Sequence, residues 1–570
     1  MNTLNELTLK TASNQFKGHF LKLYSDELNE ETIKEFAEAL KANHSITSLD
    51  VSNTLIDDHG IRVFAEAFKV NTTITKVNLS HIYNMGLDSI KALAEVFKTT
   101  ASLKEVFLDD NFNIGDAESQ LLAEALKTNT SITVFSLTHN NIGNNGAIAF
   151  AEMLKSNTTL TRIDLSISWI GKEGAIALAE ALKMTTSLTT LFLYNTPVGE
   201  IGAIALAEAL KINTSITEFN LPSSEIGDKG AKAFANALKI NSSITKLDLS
   251  SNYIGDKGAK IFANALKINT KITSLYFSAN KISDEGIKAL ANALKINGSL
   301  MSLDLSNNMM LNEGGAKALA NALKINTSIT SLSFSHNSIG EEDAKALASA
   351  LKINNSITFL NLSSNPISSE GAKVLAEALK VNKNIFYSLL TDTGLSYGAP
   401  EVKEIRISTD SNKKTAKTLL NNLLDPTYTL SSIDHQEIFE RKAAMQVLLA
   451  ARKDQFSLNR YQALRLHLAH HEQYMHHYFQ NPLAQIGVAK DASPMAGYES
   501  TLGLYYLPLE LHTQIFSYLS PNQILRTPLP SSGQLVDISS PYTAAIRPIY
   551  GTHSANVVQQ ENSAKRSRLI

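Results

Sequence analysis

Residues 242–269 read SSITKLDLSSNYIGDKGAKIFANALKIN, and the next stretch, residues 270–297, reads TKITSLYFSANKISDEGIKALANALKIN. Both stretches keep the same order of apolar, polar and small positions. The first leucine-type position recurs every 28 residues, with 29 at three steps, and is filled by Leu49, Val77, Val106, Phe135, Ile163, Leu191, Phe219, Leu247, Leu275, Leu303, Leu332 and Leu360. Extension to Leu21 and to Leu390 predicts about fourteen units.

Each unit has the pattern of one short strand followed by one helix. In residues 246–250 apolar and polar side chains alternate, which predicts a strand with one solvent-facing side. Asn252 follows, and its amide is placed to bond the turn backbone between stacked units. Asp256 is placed to cap a helix that ends before Asn269. A single unit cannot bury its apolar side alone, so the repetition predicts an α/β solenoid of stacked units.

The composition excludes several classes of function. The chain has 570 residues, and 52 Lys and Arg nearly balance 54 Asp and Glu, so the overall charge predicts neither a nucleic-acid nor a membrane partner. The absence of cysteine excludes disulfides and thiolate chemistry and favours a reducing, cytoplasmic location. No phosphate-binding loop, nucleophile elbow or HExxH motif occurs, so we expect no enzyme activity, no cofactor and no metal site.

Residues from about 20 to 395 resemble the ribonuclease-inhibitor subtype of leucine-rich repeat, through units of the LDLSSNYIGDKGAKIFANALK type. The resemblance implies a horseshoe with parallel strands on the concave face and helices on the convex face. It also implies a protein partner on the concave face and a monomeric chain. One subgroup of this family binds proteins, and another activates a small GTPase. Both functions are compatible with the repeats, because the fold does not set the function.

The candidate binding residues are departures from the consensus of the repeat. Most outward strand positions are small or polar, but several carry aromatic rings that core packing does not require. The segment SISWIG also lacks the turn asparagine of later units. Because aromatic residues and Arg anchor interfaces, we predict a partner-binding surface; drift of the repeat, with the indole folded onto a neighbouring unit, is the alternative. The predicted residues are Phe107, Arg162, Asp164, Trp169, Phe192, Tyr194 and Tyr276.

The period fails after residue 395, which predicts a change of domain. We expect the solenoid over residues 1–395, a linker over 396–414, a helical module over 415–525 and a flexible tail over 526–570. The module includes a histidine-rich helix over residues 459–480. Its histidines lack zincin spacing, since Met475 stands four residues after His471. A solvated helix therefore explains them better than a metal site.

The segment LPLELHTQIFSYLSPNQIL, residues 507–525, resembles the first half of an F-box. The residues that carry the resemblance are Leu507, Pro508, Glu510, Leu511, Ile515 and Leu519. It implies docking on a Skp1-type adaptor of a ubiquitin ligase. The second half of the motif is missing, and an amphipathic helix that starts with proline has the same pattern. The arrangement of repeats plus appendix also resembles bacterial effectors that act in the host-cell cytoplasm.

Overall fold

The computed structural model describes residues 19–23, 29–82, 85–308, 314–391, 393, 399–424 and 441–450. Within them, strands and helices alternate along the chain. The strands are β1 (Phe20–Lys22), β2 (Ser48–Asp50), β3 (Lys76–Asn78), β4 (Glu105–Phe107), β5 (Val134–Ser136), β6 (Arg162–Asp164), β7 (Thr190–Phe192), β8 (Glu218–Asn220), β9 (Lys246–Asp248), β10 (Ser274–Tyr276), β11 (Ser302–Asp304), β12 (Ser331–Ser333), β13 (Phe359–Asn361) and β14 (Tyr387–Leu389).

The helices of the repeats have similar lengths and follow the strands one by one. They are α1 (Glu30–Ala42), α2 (Asp58–Val70), α3 (Leu87–Thr99), α4 (Asp116–Thr128), α5 (Asn144–Leu154), α6 (Lys172–Leu182), α7 (Gly199–Leu210), α8 (Gly227–Leu238), α9 (Asp256–Leu266), α10 (Asp284–Leu294), α11 (Gly315–Leu323), α12 (Glu341–Leu351) and α13 (Ser369–Val381). Two more helices follow β14, α14 (Pro400–Leu424) and α15 (Lys442–Ala450).

The strands form one open parallel sheet in chain order, which confirms the predicted solenoid. Each strand pairs with the next in the same register, so that Leu247 lies beside Leu275 and Leu275 beside Leu303. The middle residue of each strand from β1 to β13 is buried, and the third points away from the core. Aromatic side chains from the helices pack in this core against aromatic side chains from the strand segments. Phe262 in α9 meets Phe277, the residue after β10, edge to face, with ring centroids 4.7 Å apart.

Asparagine side chains connect the turns that follow the strands. The Asn252 amide donates to the carbonyl of Leu221 in the preceding unit at 2.7 Å, and its oxygen accepts from the Ser224 N–H at 2.8 Å. Asn280 repeats the arrangement toward Leu249. The predicted role of these amides is therefore confirmed: each satisfies backbone groups that the turn would otherwise leave unpaired.

The aspartates at the helix starts act on the next unit, which corrects the sequence interpretation of Asp256. Asp256 is the first residue of α9, and its Oδ1 accepts from the N–H groups of Ser283 and Gly286 at 2.8 and 2.9 Å. It therefore caps α10 and not its own helix. Space is tight where Asp256 approaches: a Cβ on Gly286 would lie 2.5 Å from Ile282 Cγ2 and 2.7 Å from Asp256 Oδ1.

A second row of asparagines fixes the connections from helix to strand. Asn269 donates to the carbonyl of Leu238 at 2.7 Å and accepts from the N–H of Ile272 at 2.8 Å. The residues that repeat this position and are buried like it include Asn213, Asn241, Asn297, Asn326, Asn354 and Asn382. The ends of successive helices are thus bonded to one another along the whole row.

The end of the array differs from the sequence prediction in one register detail. Ser388 lies in the middle of β14, so Leu390 takes the second and not the first leucine position of that unit.

Helix α14 begins at Pro400 and occupies most of the segment predicted as a linker. The described residues divide into two compact units, one within residues 19–382 and 388–405, the other within 383–387 and 406–450. In the second unit, Arg441 donates to Asn412 Oδ1 at 3.0 Å.

Candidate interaction surface

The outward side chains of the strands form a surface that we call the strand face. Its central row is built from the third residue of each strand, and the parallel register sets the order in which neighbours meet. Along the row stand Asp50, Asn78, Phe107, Ser136, Asp164, Phe192, Asn220, Asp248, Tyr276, Asp304, Ser333 and Asn361. Aspartates and asparagines of this row typically accept from the backbone N–H two residues later, as Asp164 does from Ser166 at 3.1 Å.

Arg162, Asp164 and Phe192 come together on strands β6 and β7. Asp164 and Phe192 are register partners, and the Arg162 guanidinium lies 4.4 Å from the centroid of the Phe192 ring. The ring is half-buried and Arg162 is exposed. Stacking of a guanidinium on an aromatic face is a favourable cation–π contact. The structure therefore places a cation, an anion and a ring side by side on the strand face.

Tyr194 and Trp169 extend this cluster to the turns after the strands. Tyr194 is 38% exposed, and its N–H donates to Ser166 Oγ at 3.1 Å. The indole of Trp169 is 71% exposed, so it is not folded onto a neighbouring unit, while its backbone N–H bonds the carbonyl of Ile142. We call Arg162, Asp164, Trp169, Phe192 and Tyr194 the β6–β7 cluster.

The backbone beside the β6–β7 cluster is strained. Ile167 has φ +51° and its N–H donates to the carbonyl of Tyr194 at 2.6 Å. Most units place a left-handed residue at this turn position, but elsewhere it is typically Asn, Ser, His or Asp. A β-branched side chain in this conformation is a steric outlier. Such strain is often retained at binding sites.

The turns around the β6–β7 cluster also lack the amide row. Ser168, Thr196 and Ser224 replace asparagine there, and the Thr196 hydroxyl donates to the carbonyl of Leu193 at 2.6 Å. A hydroxyl has one proton to donate where an amide has two, so fewer bonds link these turns to their neighbours. The missing asparagines therefore remove hydrogen bonds between neighbouring turns, and the hydroxyl groups of the replacing residues restore part of them.

Phe107 and Tyr276 lie apart from the β6–β7 cluster. Ser136 separates Phe107 from Asp164 in the register, and Lys76 Nζ lies 4.7 Å from the centroid of the Phe107 ring. Two strands separate Tyr276 from Phe192. Five of the seven predicted residues therefore belong to the two neighbouring units of β6 and β7, and the other two are separate positions on the same face.

Tyr276 stands between two aspartates with perturbed ionisation. Its register partners are Asp248 and Asp304. Burial raises the pKa of Asp248 to about 6, and burial also raises the pKa of Asp304. Burial likewise raises the pKa of the Tyr276 hydroxyl, with the nearby Asp248 charge acting in the same direction. A cationic group from a partner would stabilise the ionised carboxylates at this position.

Sequence reasoning missed two aromatic sites on the turns after the strands. Phe112 is exposed and meets the His139 ring edge-on with centroids 4.9 Å apart, while His139 Nδ1 contacts Asp110. Tyr253 is also exposed, and Lys281 Nζ lies 4.7 Å from its ring centroid. Trp169, Phe112 and Tyr253 fill the same position of their units. An alignment of the units at this position would have shown that aromatic residues recur there.

Other predicted features lie outside the described residues. They are the F-box-like segment 507–525 and the histidine-rich segment 459–480. In the described ranges, no group of three or more His, Asp or Glu residues is placed to hold a metal ion. The helices within those ranges include none that is both long and apolar enough to cross a bilayer.

The sequence model described as Leucine Rich repeat matches seven segments, residues 128–151, 156–179, 213–235, 241–263, 269–291, 326–348 and 354–376. These segments coincide with units of the open parallel sheet and its helices. The array is a leucine-rich repeat solenoid. Leucine-rich repeat arrays are typical of protein-binding scaffolds, and no curated protein matches this chain.

Solved structures with similarity to the solenoid include three proteins of different kinds. An internalin from Listeria monocytogenes is 18% identical, with 62% of this chain and 88% of that chain covered and a TM-score of 0.38. The yeast Rad7 and Elc1 complex gives 15% identity, coverage of 64% and 91%, and a TM-score of 0.41. Leiomodin-1 actin-binding site 2 gives 27% identity over 25% of this chain and 84% of that chain, with a TM-score of 0.24.

Proposed function

We propose that this protein is a non-enzymatic scaffold that binds a protein partner on the strand face, with the β6–β7 cluster as the anchor. The observation that carries the proposal is the stacking of Arg162 on Phe192 beside Asp164. Arg and aromatic residues provide most of the binding energy at protein interfaces. A ring held by a guanidinium is already ordered before the partner arrives, which lowers the entropic cost of binding.

The surroundings of the cluster support the same proposal. The neighbours of Phe192 in the central row are Asp164 and Asn220, so the repeat itself does not require a ring there. Ile167 keeps an unfavourable backbone conformation at the rim of the cluster. The partner would offer an apolar group to Phe192 and Tyr194, with polar groups that satisfy Arg162 and Asp164.

The sequence supports finer proposals about the partner. The resemblance of Leu507, Pro508 and Leu511 to an F-box favours a role as a substrate adaptor that docks on a Skp1-type protein and selects its substrate through the repeats. The ribonuclease-inhibitor-like repeats are also compatible with activation of a small GTPase. The arrangement of repeats plus appendix resembles bacterial effectors, and this resemblance favours the proposal that either activity takes place in the host-cell cytoplasm.

The test is affinity capture from eukaryotic lysate with the full chain and with a Phe192→Asn variant, read by quantitative mass spectrometry. Asn is the residue of the neighbouring strand at this position, Asn220, so the fold should tolerate the change. We expect a protein that the parent retains and the variant loses. A Skp1-type protein among the captured proteins supports the adaptor, and a small GTPase supports the activator. Equal capture by both proteins would refute the β6–β7 cluster as the anchor.

A further inference from the structure

Exposed isoleucines form a row in the connections that lead from the helices to the next strands. Trp169, in contrast, lies in a turn that leads from a strand to a helix. The row occupies the second residue after each helix, between a lysine and the buried asparagine that bonds neighbouring units. It comprises Ile212, Ile240, Ile268, Ile296, Ile325 and Ile353, which are 59% to 66% exposed. Val381 continues the row, so seven consecutive units expose a β-branched apolar side chain, although Thr or Ser fills the same position at Thr99, Thr128 and Ser156. The repeat itself therefore does not require isoleucine there.

The charge along this row changes abruptly between α7 and α8. In α7 the lysine before the isoleucine, Lys211, pairs with Glu208 three residues earlier at 2.6 Å. In α8–α12 the glutamate is replaced by Asn or Ser, and Lys239 contacts the amide oxygen of Asn236 at 3.2 Å. The replaced positions are Asn236, Asn264, Asn292, Asn321 and Ser349, and in α13 glutamate returns as Glu377.

The replacement leaves five lysines without a carboxylate partner in the described part of the chain. They are Lys239, Lys267, Lys295, Lys324 and Lys352. After their first turns, helices α8–α12 contain no Asp or Glu. Each lysine stands directly before one of the exposed isoleucines. We call these five lysine–isoleucine pairs the basic edge.

We propose that the basic edge binds an anionic lipid surface. Ammonium groups near such a surface are attracted to the headgroups, and an apolar side chain beside each one can enter the boundary of the acyl chains. The same lysine–isoleucine pair recurs in five consecutive units, so a partner that presents the same chemistry at each step fits the basic edge. A lipid surface does so, because it is laterally uniform.

The charges disfavour the other occupants. Two copies of this chain that met through the basic edge would bring five ammonium groups against five like charges, which costs free energy at each contact. Residues 451–570 contain no run of acidic residues that would neutralise the edge, and they end in the basic sequence AKRSRLI. An acidic protein surface is the remaining alternative.

This surface is separate from the β6–β7 cluster, so the inference goes beyond the proposed scaffold function. The near-zero net charge predicts no membrane partner for the chain as a whole. Local charge decides surface binding, however, because a salt solution screens charges that are more than about 8 Å away. The basic edge is thus a local exception within a balanced composition.

The experiment is cosedimentation of the full chain with vesicles of phosphatidylcholine alone and of phosphatidylcholine with about 30% phosphatidylserine. We expect binding only to the vesicles with phosphatidylserine and its loss at high salt. The variant Asn236→Glu, Asn264→Glu, Asn292→Glu restores the pattern of α7 and should reduce the bound fraction roughly tenfold or more. The variant Ile268→Thr, Ile296→Thr should also bind less, because it removes two of the inserted side chains.

The control variant is Asn113→Glu, Gln120→Glu, Asn141→Glu, which adds the same negative charge at exposed positions of earlier units. It should bind the anionic vesicles like the parent. Circular dichroism of every variant checks that the solenoid is intact. The proposal is overturned if the parent does not bind the anionic vesicles. Equal loss in the control and edge variants also overturns it, since net charge alone would then explain the binding.

Discussion

The guanidinium of Arg162 lies 4.4 Å from the centroid of the Phe192 ring on the adjacent strand. This contact orders two side chains that the core does not need. The middle residue beside Phe192, Leu191, is fully buried. One strand therefore carries a residue that serves folding and a residue that is available for binding, and the two roles can be separated by substitution.

Replacement of Phe192 by Asn should weaken binding of a captured partner by about 2 kcal/mol, the usual scale for an aromatic anchor. The free energy of unfolding should change by less than about 1 kcal/mol, because the ring is half-buried and only the cation–π contact is lost. Isothermal titration calorimetry and chemical denaturation of the same sample give both values.

The matched control is Leu191→Ala on the same strand. It should lower the free energy of unfolding by about 2 to 5 kcal/mol through the cavity that it creates. Binding should be affected only to the extent that the protein unfolds. If Phe192→Asn destabilises the fold as strongly as Leu191→Ala, the ring belongs to the core and the strand face is not the binding surface.

Replacement of Ile167 by Asn should stabilise the fold by about 1 kcal/mol, since it relieves a β-branched residue at positive φ. Asn195 holds the same turn position at φ +53°, so the repeat accepts the residue. Thermal unfolding measures the gain. The reverse change, Asn195→Ile, should destabilise by a similar amount; a stabilising effect there would contradict the strain argument.

The sequence predicts the fold well because the repeat shows the same requirement many times. The 28-residue spacing places the strands, and the alternation at Leu247 and Leu249 assigns the buried side. Contacts between units are harder to predict. Asp256 and its bond partner Gly286 are 30 residues apart, and nothing within one unit distinguishes that pairing from a cap of the same helix.

The two proposed binding surfaces are harder to predict from the sequence for a similar reason. Phe192 departs from its column and is therefore visible as an exception. Ile268 follows its column. An apolar residue that recurs in successive units has the pattern of a core position, although Ile268 is exposed. Its exposure follows from the direction of the helix-to-strand connection, which periodicity alone does not determine.

Replacement of Asn269 by Ala should lower the free energy of unfolding by about 2 to 4 kcal/mol, because buried backbone groups lose their partners. The affected groups are the carbonyl of Leu238 and the N–H groups of Lys271 and Ile272. Chemical denaturation measures the change. The control Asn264→Ala removes an exposed amide of the preceding helix and should stay within about 0.5 kcal/mol of the parent; equal losses would show that the asparagine row has no structural role.

The contribution of Asp248 to the stability of the fold should decrease as the pH rises through the range in which its carboxyl group ionises. Burial raises the pKa of Asp248 from 3.8 to about 6. The folded state therefore holds this proton more tightly than the unfolded state, and unfolding releases it between about pH 4 and 6. The destabilisation is absent below pH 4 and fully present above pH 6.

Replacement of Asp248 by Asn should remove this dependence. An Asn oxygen still accepts from the Ser250 N–H, as Asn78 does from Ser80. The variant should be more stable than the parent by about 1 to 3 kcal/mol at pH 7.5 and nearly equal to it at pH 4. Denaturation curves at both pH values provide the comparison. A gain of the same size at both would mean that ionisation of Asp248 is not its cause.

Deletion of one complete unit, residues 270–297, should leave a shorter array that still unfolds in one cooperative transition. The deletion brings Asp256 to the place of Asp284, which accepts from the Gly315 N–H at 2.6 Å, so the capping bond can form again between the new neighbours. The flanking units also present equivalent apolar sides to each other, because stability in a solenoid comes from contacts between adjacent units. The melting temperature should fall only by several degrees, as expected for the loss of one interface.

The control is deletion of residues 270–283, which removes β10 and leaves α10 without a strand. That variant should lose cooperative unfolding, measured by circular dichroism during heating, because the helix no longer has its place in the register. If the two deletions behave alike, the 28-residue unit is not the structural unit of this solenoid.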